Sequence, residues 1–151
     1  MQAKDIMNKE VVSVLVDATV KEVAKLIIDR KISGIPVIND QRTVLGVISE
    51  VDLMHAQVPP GKPSVWQLFT WQLNGDEERE RYQEARRRHL AKTARDIMTS
   101  PAVTADELDD IEKVGQLMFQ HRIKRVFITK NGALTGVISR SAFVKRLLED
   151  S

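Results

Sequence analysis

The hydrophobic pattern of the chain alternates short apolar runs with longer stretches in which apolar residues recur every three or four positions. Residues 11–14 and 34–38 are apolar runs of strand length, rich in β-branched residues. Between them, Val20, Val23 and Ile27 mark one face of a helix, and Thr19 offers a capping hydroxyl at its start. Residues 45–49 form a further apolar run that leads into a helical stretch. The predicted order is strand, helix, strand, strand, helix.

The second part of the chain repeats this pattern. The motif Asp-Ile-Met at residues 5–7 returns at residues 96–98, an offset of 91. The motif Gly-Val-Ile-Ser at residues 46–49 returns at residues 136–139, an offset of 90. One position breaks the repeat, because Asp52 follows the first Gly-Val-Ile-Ser motif and Ala142 stands at the matching place after the second. The sequence therefore predicts two copies of one unit that differ in a single carboxylate at the start of a helix.

The segment between the copies has no repeat partner. Its first part, residues 58–63, is rich in proline and predicts a loop. Residues 65–73 contain both tryptophans, and residues 77–94 alternate acidic and basic side chains as a solvated helix does. Asn74-Gly75-Asp76 predicts a helix end followed by a new cap. We expect a first repeat at residues 1–56, an inserted segment at 57–92 and a second repeat at 93–151.

Composition narrows the function classes. The hydrophobic share of 42% and the charged share of 29% are ordinary for a soluble globular protein. No apolar run has the length of a membrane span, and no signal peptide precedes the first repeat, so a cytoplasmic protein is expected. The chain lacks cysteine, its three histidines share no spacing, and no nucleophile–base set is visible. We therefore expect no metal site and no catalytic residues.

The two copies resemble the cystathionine β-synthase (CBS) domain. The resemblance rests on the order Asp-Ile-Met, valine strand, Thr-x-x-x-Val-Ala helix, Gly-x-Pro-Val strand and Gly-Val-Ile-Ser-x-x-Asp, and it covers residues 3–54 and 93–148. It implies an α+β fold in which two βαββα units pack through their sheets with pseudo-twofold symmetry, here with a helical segment inserted between them. It also implies a regulatory module without catalytic activity, whose two clefts bind AMP, ADP, ATP or S-adenosylmethionine.

The resemblance assigns the first cleft to Asp52 and Ser49. A carboxylate can accept hydrogen bonds from the two neighbouring hydroxyls of a ribose, and Asp52 matches the ribose-binding position of the family. Ser49 matches the hydroxyl that contacts phosphate, at a helix start that favours an anion. Family clefts also draw adenine contacts from the other copy. The candidates for those contacts are Thr99, Val103 and the backbone of Arg125, Val126 and Phe127.

The second cleft lacks its ribose carboxylate, because Ala142 replaces it. The resemblance assigns this cleft to Ser139, Arg140, Lys124, Val12 and the backbone of Gly34, Ile35 and Pro36. Its basic rim could hold phosphates, so we expect weaker occupancy than in the first cleft. A divalent cation bound through the phosphates of the nucleotide is a further expectation.

Several interpretations stay open beside this one. Asp52 could be only a first-turn acid, and Ser49 and Ser139 could be only helix caps. A nucleic-acid-binding module that uses residues 86–88 and the basic C-terminal helix, or a structural dimer with clefts that bind nothing, would fit the same composition. The preferred interpretation is a free-standing module that signals to a separate, unknown protein.

The tryptophan stretch at residues 65–73 also has three interpretations. It could cap the core of the module, cover a cleft or form a subunit interface. Aromatic residues are enriched at interfaces, and CBS pairs commonly stack into dimeric discs. We therefore expect a homodimer, with these residues shared between the core and the dimer contact.

Overall fold

The computed structural model describes residues 1–74 and 76–150, apart from the side chains of Asn74 and Arg88. The elements of the first copy are α1 (Ala3–Ile6), β1 (Val14–Leu15), α2 (Val20–Arg30), β2 (Gly34–Ile38), β3 (Val44–Ser49) and α3 (Glu50–Gln57). The inserted segment forms α4 (Val65–Asn74) and α5 (Asp76–His89). The second copy contains α6 (Ala94–Ile97), β4 (Thr104–Asp106), α7 (Ile111–His121), β5 (Arg125–Lys130), β6 (Ala133–Ser139) and α8 (Arg140–Glu149). Gly75, at the centre of the predicted helix break, lies outside the described residues.

Each copy has its own three-stranded sheet, with strand orders β1-β2-β3 and β4-β5-β6. In the second sheet β4 runs parallel to β5, with Thr104 opposite Phe127, and β5 runs antiparallel to β6. The hairpin between β5 and β6 turns at Asn131 and Gly132, which have φ angles of 52° and 82°. Two successive positive φ angles are what a tight Asn-Gly hairpin requires. The predicted α+β fold with two βαββα units is confirmed.

Strand β1 is shorter than its sequence predicts. Residues 11–14 were expected to form it, but the parallel ladder with β2 contains only Val14, opposite Val37, and Leu15, opposite Ile38. Val11 packs against a small buried cluster that includes Ile38. A β-branched run is therefore a sign of burial here, but not of strand pairing along its whole length.

The chain divides into two compact units that do not coincide with the two copies. Unit one consists of Met1–Leu15, Pro36–Val47 and the described residues from Ser100 onward. Its main core packs the helices α1, α7 and α8 on the β4-β5-β6 sheet. The buried residues of this core are Ala3, Ala105, Val114, Met118, Val126, Ile128 and Ile138. Val114 and Met118 of α7 face this core, and they lie 91 residues after Val23 and Ile27, the buried residues of α2.

Unit two consists of Val16–Ile35 and Ile48–Thr99, and it contains the helices α2 to α6. Thr19 caps α2 as predicted, since its side chain accepts a hydrogen bond from the Glu22 amide at 3.1 Å. Helix α5 contacts α3, α4 and α6. Within the described residues, no helix is both long and apolar enough to cross a membrane. The helical unit therefore gathers the inserted segment around the start of α3.

Candidate functional site

Asp52 lies in the first turn of α3, and Ser49 is the residue that caps this helix. The Asp52 Oδ2 atom accepts hydrogen bonds from the backbone amide of Ser49 at 2.8 Å and from its hydroxyl at 3.1 Å. The Ser49 hydroxyl in turn accepts from the Asp52 amide at 3.4 Å. Each side chain thus satisfies a backbone donor of the other residue, which is a capping box. This pairing fixes the orientation of the Asp52 carboxylate.

The second oxygen of Asp52 faces the other copy. Thr99, two residues after α6, donates its hydroxyl to Asp52 Oδ1 at 3.3 Å. Only 4% of Asp52 is exposed to solvent. A buried carboxylate must be held by hydrogen bonds, and here hydroxyl donors reach both of its oxygens. The structure therefore brings together three of the predicted residues, Ser49, Asp52 and Thr99, all within unit two.

The remaining residues predicted for the first cleft lie in unit one. Val103 is half-buried and directly precedes β4. The side chains of Val126 and Phe127 are buried, so only their backbone could contact a ligand. The ladder between β4 and β5 begins at Phe127, so the backbone of Arg125 and Val126 extends beyond it. Their role in a ligand site stays a prediction.

The residues predicted for the second cleft occur in both units. Gly34 and Ile35 belong to unit two and are buried, whereas Val12 and Pro36 belong to unit one. The ladder between β1 and β2 begins at Val37, after these β2 residues.

The other three residues predicted for the second cleft are neighbours in unit one. The Arg140 amide donates to the Lys124 carbonyl at 3.0 Å, and Ser139 lies opposite Arg125 in the antiparallel ladder. The side chains of Lys124 and Arg140 are exposed. The predicted basic rim therefore exists on the surface of unit one, and its binding of phosphate stays a prediction.

A cavity of about 500 Å³ in unit one borders the start of α8. The residues that line it include Asn8, Ser139, Ser141, Ala142, Lys145 and Arg146. The Ser139 side chain does not cap α8, since its hydroxyl pairs with that of Ser141 at 2.7 Å. Ala142 lines the cavity at the position that Asp52 occupies in the first copy.

Asn8 also lines this cavity, although it belongs to none of the motifs that mark the predicted site residues. Asn8 precedes Thr99 by 91 residues, which is the repeat offset. That offset could have identified it as the counterpart of the hydroxyl that contacts Asp52. The two copies thus place a polar side chain at the same position after their Asp-Ile-Met motifs.

The turn that carries Thr99 is held by an arginine of the inserted segment. Arg87 donates from Nη1 to the carbonyl oxygen of Asp96 at 2.6 Å, and from Nε and Nη2 to the two carboxylate oxygens of Glu84 at 3.1 and 2.6 Å. The hydrogen bond to Glu84 is the main reason that the pKa of Arg87 is raised. The Thr93 hydroxyl, which donates to Asp96 at 2.9 Å, is the main reason that the pKa of Asp96 is lowered.

No group of three or more acidic or histidine side chains in the described part of the chain is arranged to hold a metal ion. The expected cation bound through nucleotide phosphates stays a prediction, because a nucleotide would supply most of its ligands.

Comparisons with known proteins follow the same division into two copies. The profile of the family described as "CBS domain" matches residues 3–59 and 94–149. An uncharacterized protein of Methanocaldococcus jannaschii, MJ1426, is 30% identical over 98% of this chain and 92% of its own length. The chloroplastic CBS domain-containing protein CBSX2 of Arabidopsis thaliana is 22% identical over 87% of this chain, which spans 56% of that protein.

Solved structures agree in fold. The crystal structure of CBSX2 in complex with AMP has a TM-score of 0.78 at 24% identity, and the match covers 99% of this chain and 97% of that one. The CBS domain pair of protein MJ0100, in complex with 5′-methylthioadenosine and S-adenosyl-L-methionine, has a TM-score of 0.71 at 18% identity, and the match covers 100% and 98% of the two chains. At these identities the likeness concerns the fold.

Proposed function

The chain belongs to the CBS domain family as a tandem pair, as its sequence predicts, and from this premise we propose that it binds an adenosine compound and acts as a regulatory module. The observation that carries the proposal is the buried Asp52 carboxylate, which is oriented by Ser49 and contacted by Thr99 from the other copy. Two solved relatives support the class of ligand, since CBSX2 is complexed with AMP and the MJ0100 pair with methylthioadenosine and S-adenosyl-L-methionine.

The proposed chemistry is an exchange of hydrogen bonds on one oxygen of Asp52. Oδ2 keeps its bond to the Ser49 amide at 2.8 Å, whereas Oδ1 accepts from Thr99 over the longer distance of 3.3 Å. A ribose offers two adjacent hydroxyls, so it can donate to Oδ1 and reach the outer side of Oδ2 at the same time. Each such bond to a charged carboxylate is stronger than one between neutral groups. Binding then costs little desolvation, because Asp52 is already buried.

The phosphate of a nucleotide fits the start of α3. The amide groups in the first turn of a helix can donate hydrogen bonds to an anion. The positive end of the helix dipole attracts the anion as well. Ser49, which caps the helix, would contact this phosphate by donating its hydroxyl proton to it in place of Asp52 Oδ2, while the Ser49 amide keeps its bond to Oδ2. S-adenosylmethionine lacks phosphate, so it would use the ribose contacts of Asp52 alone.

We propose that the second cleft binds more weakly. Ala142 offers no acceptor for ribose, and the cavity beside it contains acidic as well as basic side chains, Asp5 and Glu149 against Lys145 and Arg146. Phosphate contacts to a mixed surface of this kind are screened by solvent and salt. One tight site per chain is therefore the expected stoichiometry.

The regulatory role follows from the two copies that contribute to the Asp52 site. Asp52 belongs to the first copy and Thr99 to the second, and a ligand that contacts both stabilises one arrangement of the two segments over others. The regulated protein is a separate chain in this proposal. A nucleic-acid function is less well supported, because Arg87 of the arginine cluster is engaged by Glu84 and by the Asp96 carbonyl.

A thermal-shift screen tests the proposal. Purified protein is heated with AMP, ADP, ATP, S-adenosylmethionine and, as a control for the ribose diol, 2′-deoxyadenosine monophosphate. At a concentration of 100 times Kd a ligand adds about 2.7 kcal/mol of stability, which raises Tm by roughly 5–10 °C for a domain of this size. If Asp52 accepts hydrogen bonds from both ribose hydroxyls, the deoxy compound should raise Tm less than AMP does, because it lacks one of them. Unchanged Tm with every adenosine compound would refute the proposed function.

A further inference from the structure

The inserted helix α5 contacts both segments that carry the Asp52 site. It packs against α3, whose first turn contains Asp52, and against α6, which leads into Thr99. All three helices belong to unit two. Among the described elements, α5 has no counterpart in the repeat pattern. A helix from outside the two copies therefore lies against the two chain segments that meet at the candidate ribose carboxylate.

Arg87 provides the polar link between α5 and the Thr99 segment. Its Nη1 atom donates to the Asp96 carbonyl at 2.6 Å, three residues before Thr99. The other side of its guanidinium is held by both carboxylate oxygens of Glu84. A bidentate pair with a carboxylate fixes the plane of the guanidinium. The bond to Asp96 is therefore made by a side chain whose orientation is already set.

The segment that receives this bond is held at its start by tertiary contacts, because the Ala94 and Arg95 amides donate to the carbonyls of Ala18 and Val16 at 2.8 and 3.0 Å, and Ala94 and Ile97 are buried. Helix α6 spans four residues, and so short a helix is not stable by its own hydrogen bonds. The Asp96 side chain is occupied by Thr93, and the Met98 amide donates to Ala94 at 3.0 Å. The Asp96 carbonyl is the point at which α5 is tied to this turn. Without the bond, the position of Thr99 relative to Asp52 would be less restricted.

We propose that Arg87 is a positioning residue of the Asp52 site, and that through Arg87 the helix α5 responds to the ligand. The ligand part of this inference rests on the proposed function, whereas the positioning part rests on the contacts of Arg87. When ribose replaces Thr99 on Asp52, the turn from Thr93 to Thr99 shifts, and its carbonyl moves the guanidinium and the helix that bears it. The inserted segment thereby reports the state of the site.

The surroundings of α5 leave room for such a movement. A cleft of about 730 Å³ separates part of α5 from α3, and its lining includes His55 of α3 and Glu80 and Arg81 of α5. On its other side, α5 places the ring of Tyr82 at 5.5 Å from that of Trp71 in α4. Both tryptophans of the chain lie in α4. A shift of α5 should therefore change the fluorescence of Trp71.

The first arm of the test needs no ligand. Hydrogen exchange is measured on residues 94–99 in the wild type, in Arg87→Met, which keeps the length of the side chain without its donors, and in Arg87→Lys. The matched control is Arg86→Met, because Arg86 is an exposed neighbour on the same helix. We expect exchange to be about two- to tenfold faster in Arg87→Met, because the variant loses one hydrogen bond and the free energy of local opening falls accordingly. The lysine variant should recover part of the protection, and the control should match the wild type.

The second arm measures AMP binding together with Trp71 fluorescence, in a Trp66→Phe background that leaves Trp71 as the single reporter. We expect AMP to change the emission, and Arg87→Met to weaken AMP binding about two- to tenfold and remove the emission change. A merely structural role of Arg87 would lower Tm without this loss of response. Far-ultraviolet circular dichroism verifies that each variant is folded.

The outcomes separate this inference from the proposed function. If the wild type binds no adenosine compound, the proposed function fails, and the exchange arm still decides whether Arg87 positions the turn. If AMP binds the wild type and Arg87→Met equally and with the same emission change, the inference is wrong while the proposed function stands. Equal exchange of residues 94–99 in all variants would overturn the positioning role.

Discussion

Two helix starts that descend from one repeat are stabilised in different ways. In the first copy, Ser49 and Asp52 satisfy each other's backbone amides. In the second copy, Ser139 bonds to Ser141 and does not cap α8, and Ala142 has no carboxylate to accept from the Ser139 amide. The same substitution removes a helix cap and the candidate ribose acceptor. Binding and local stability are therefore coupled at this position.

The sequence predicts Ser49 and Asp52 as residues of the candidate site, but it does not predict the contact of Arg87 that supports the site. The motif around Ser49 and Asp52 identifies both residues, and the family resemblance adds Thr99, whose contact with Asp52 is present. The bond from Arg87 to the Asp96 carbonyl could not be predicted. Arg87 lies in a segment without a repeat partner, and a backbone carbonyl has no sequence signature.

Ala142→Asp should restore the missing carboxylate. The new side chain can accept from the Ser139 amide, as Asp52 accepts from the Ser49 amide in the first copy, and from a ribose. We expect nucleotide affinity in the second cleft to rise about ten- to 100-fold, from one hydrogen bond to a charged group. The new first-turn carboxylate should also add about 0.3–1 kcal/mol to the free energy of unfolding.

Calorimetric titration of the Ala142→Asp variant measures the number of sites, and Ala142→Asn is the neutral control of similar size. A stoichiometry that stays at one nucleotide per chain in the aspartate variant would show that the second cleft lacks more than a carboxylate.

At the scale of the elements, the space around two glycines differs: strand β6 is tightly packed at Gly136, whereas helix α7 has room for a methyl group at Gly115. A Cβ atom added to Gly136 in β6 would lie 2.5 Å from the sulfur of Met7, which must move to admit it. A Cβ atom added to Gly115 in α7 would meet the ring of Phe143 at 3.5 Å, an ordinary contact distance. Gly115 therefore allows Phe143 to pack against α7 without a clash. The tighter constraint is at Gly136.

The two glycine-to-alanine variants should therefore shift stability in opposite directions. Gly136→Ala is expected to lower the free energy of unfolding by about 1–3 kcal/mol, the usual cost of overpacking. Gly115→Ala is expected to raise it by about 0.5–1 kcal/mol, because alanine is the better helix former. Urea denaturation of both proteins beside the wild type measures the difference. Equal stabilities of the two variants would contradict the packing described for β6.

Element types were more predictable than their extents. The Asn131-Gly132 hairpin follows from local backbone preference alone, so it is where the sequence places it. The extent of β1 depends on its partner strand, and the apolar run at residues 11–14 does not reveal where the ladder with β2 begins. The inserted segment was correctly predicted to be helical, but which neighbours α5 contacts depends on tertiary packing.

At the scale of the whole molecule, exposed apolar side chains recur at equivalent positions of the two copies. Ile28 of α2 is 75% exposed, and Phe119 of α7, 91 residues later, is 86% exposed. Trp66 in the inserted segment is 72% exposed, so it does not belong to the core of this chain. Exposed apolar side chains mark a surface of association where they form a contiguous patch, whereas single ones are ordinary. A repeated pair of this kind fits a partner with the same repeat, which is a second copy of the chain.

We therefore predict a homodimer, as the sequence analysis did. Light scattering coupled to size-exclusion chromatography should report twice the chain mass of 17.1 kDa. Phe119→Asp should shift the protein to the monomer if the repeated surface forms the dimer, whereas Trp66→Asp should do so if the inserted segment forms it. A wild-type monomer at tens of micromolar would contradict the prediction.

The central claim is that Asp52 clamps the ribose of an adenosine ligand, and calorimetric titration of AMP into the wild type and Asp52→Ala tests it most directly. The substitution also removes the carboxylate half of the α3 capping box, at a cost of about 0.3–1 kcal/mol, so Glu22→Ala, which loses the corresponding half of the α2 capping box, is the control for stability. We predict one tight site per wild-type chain and an affinity about ten- to 100-fold lower in Asp52→Ala. Two equal sites per chain, or the same affinity in both proteins, would show that the ribose is held elsewhere.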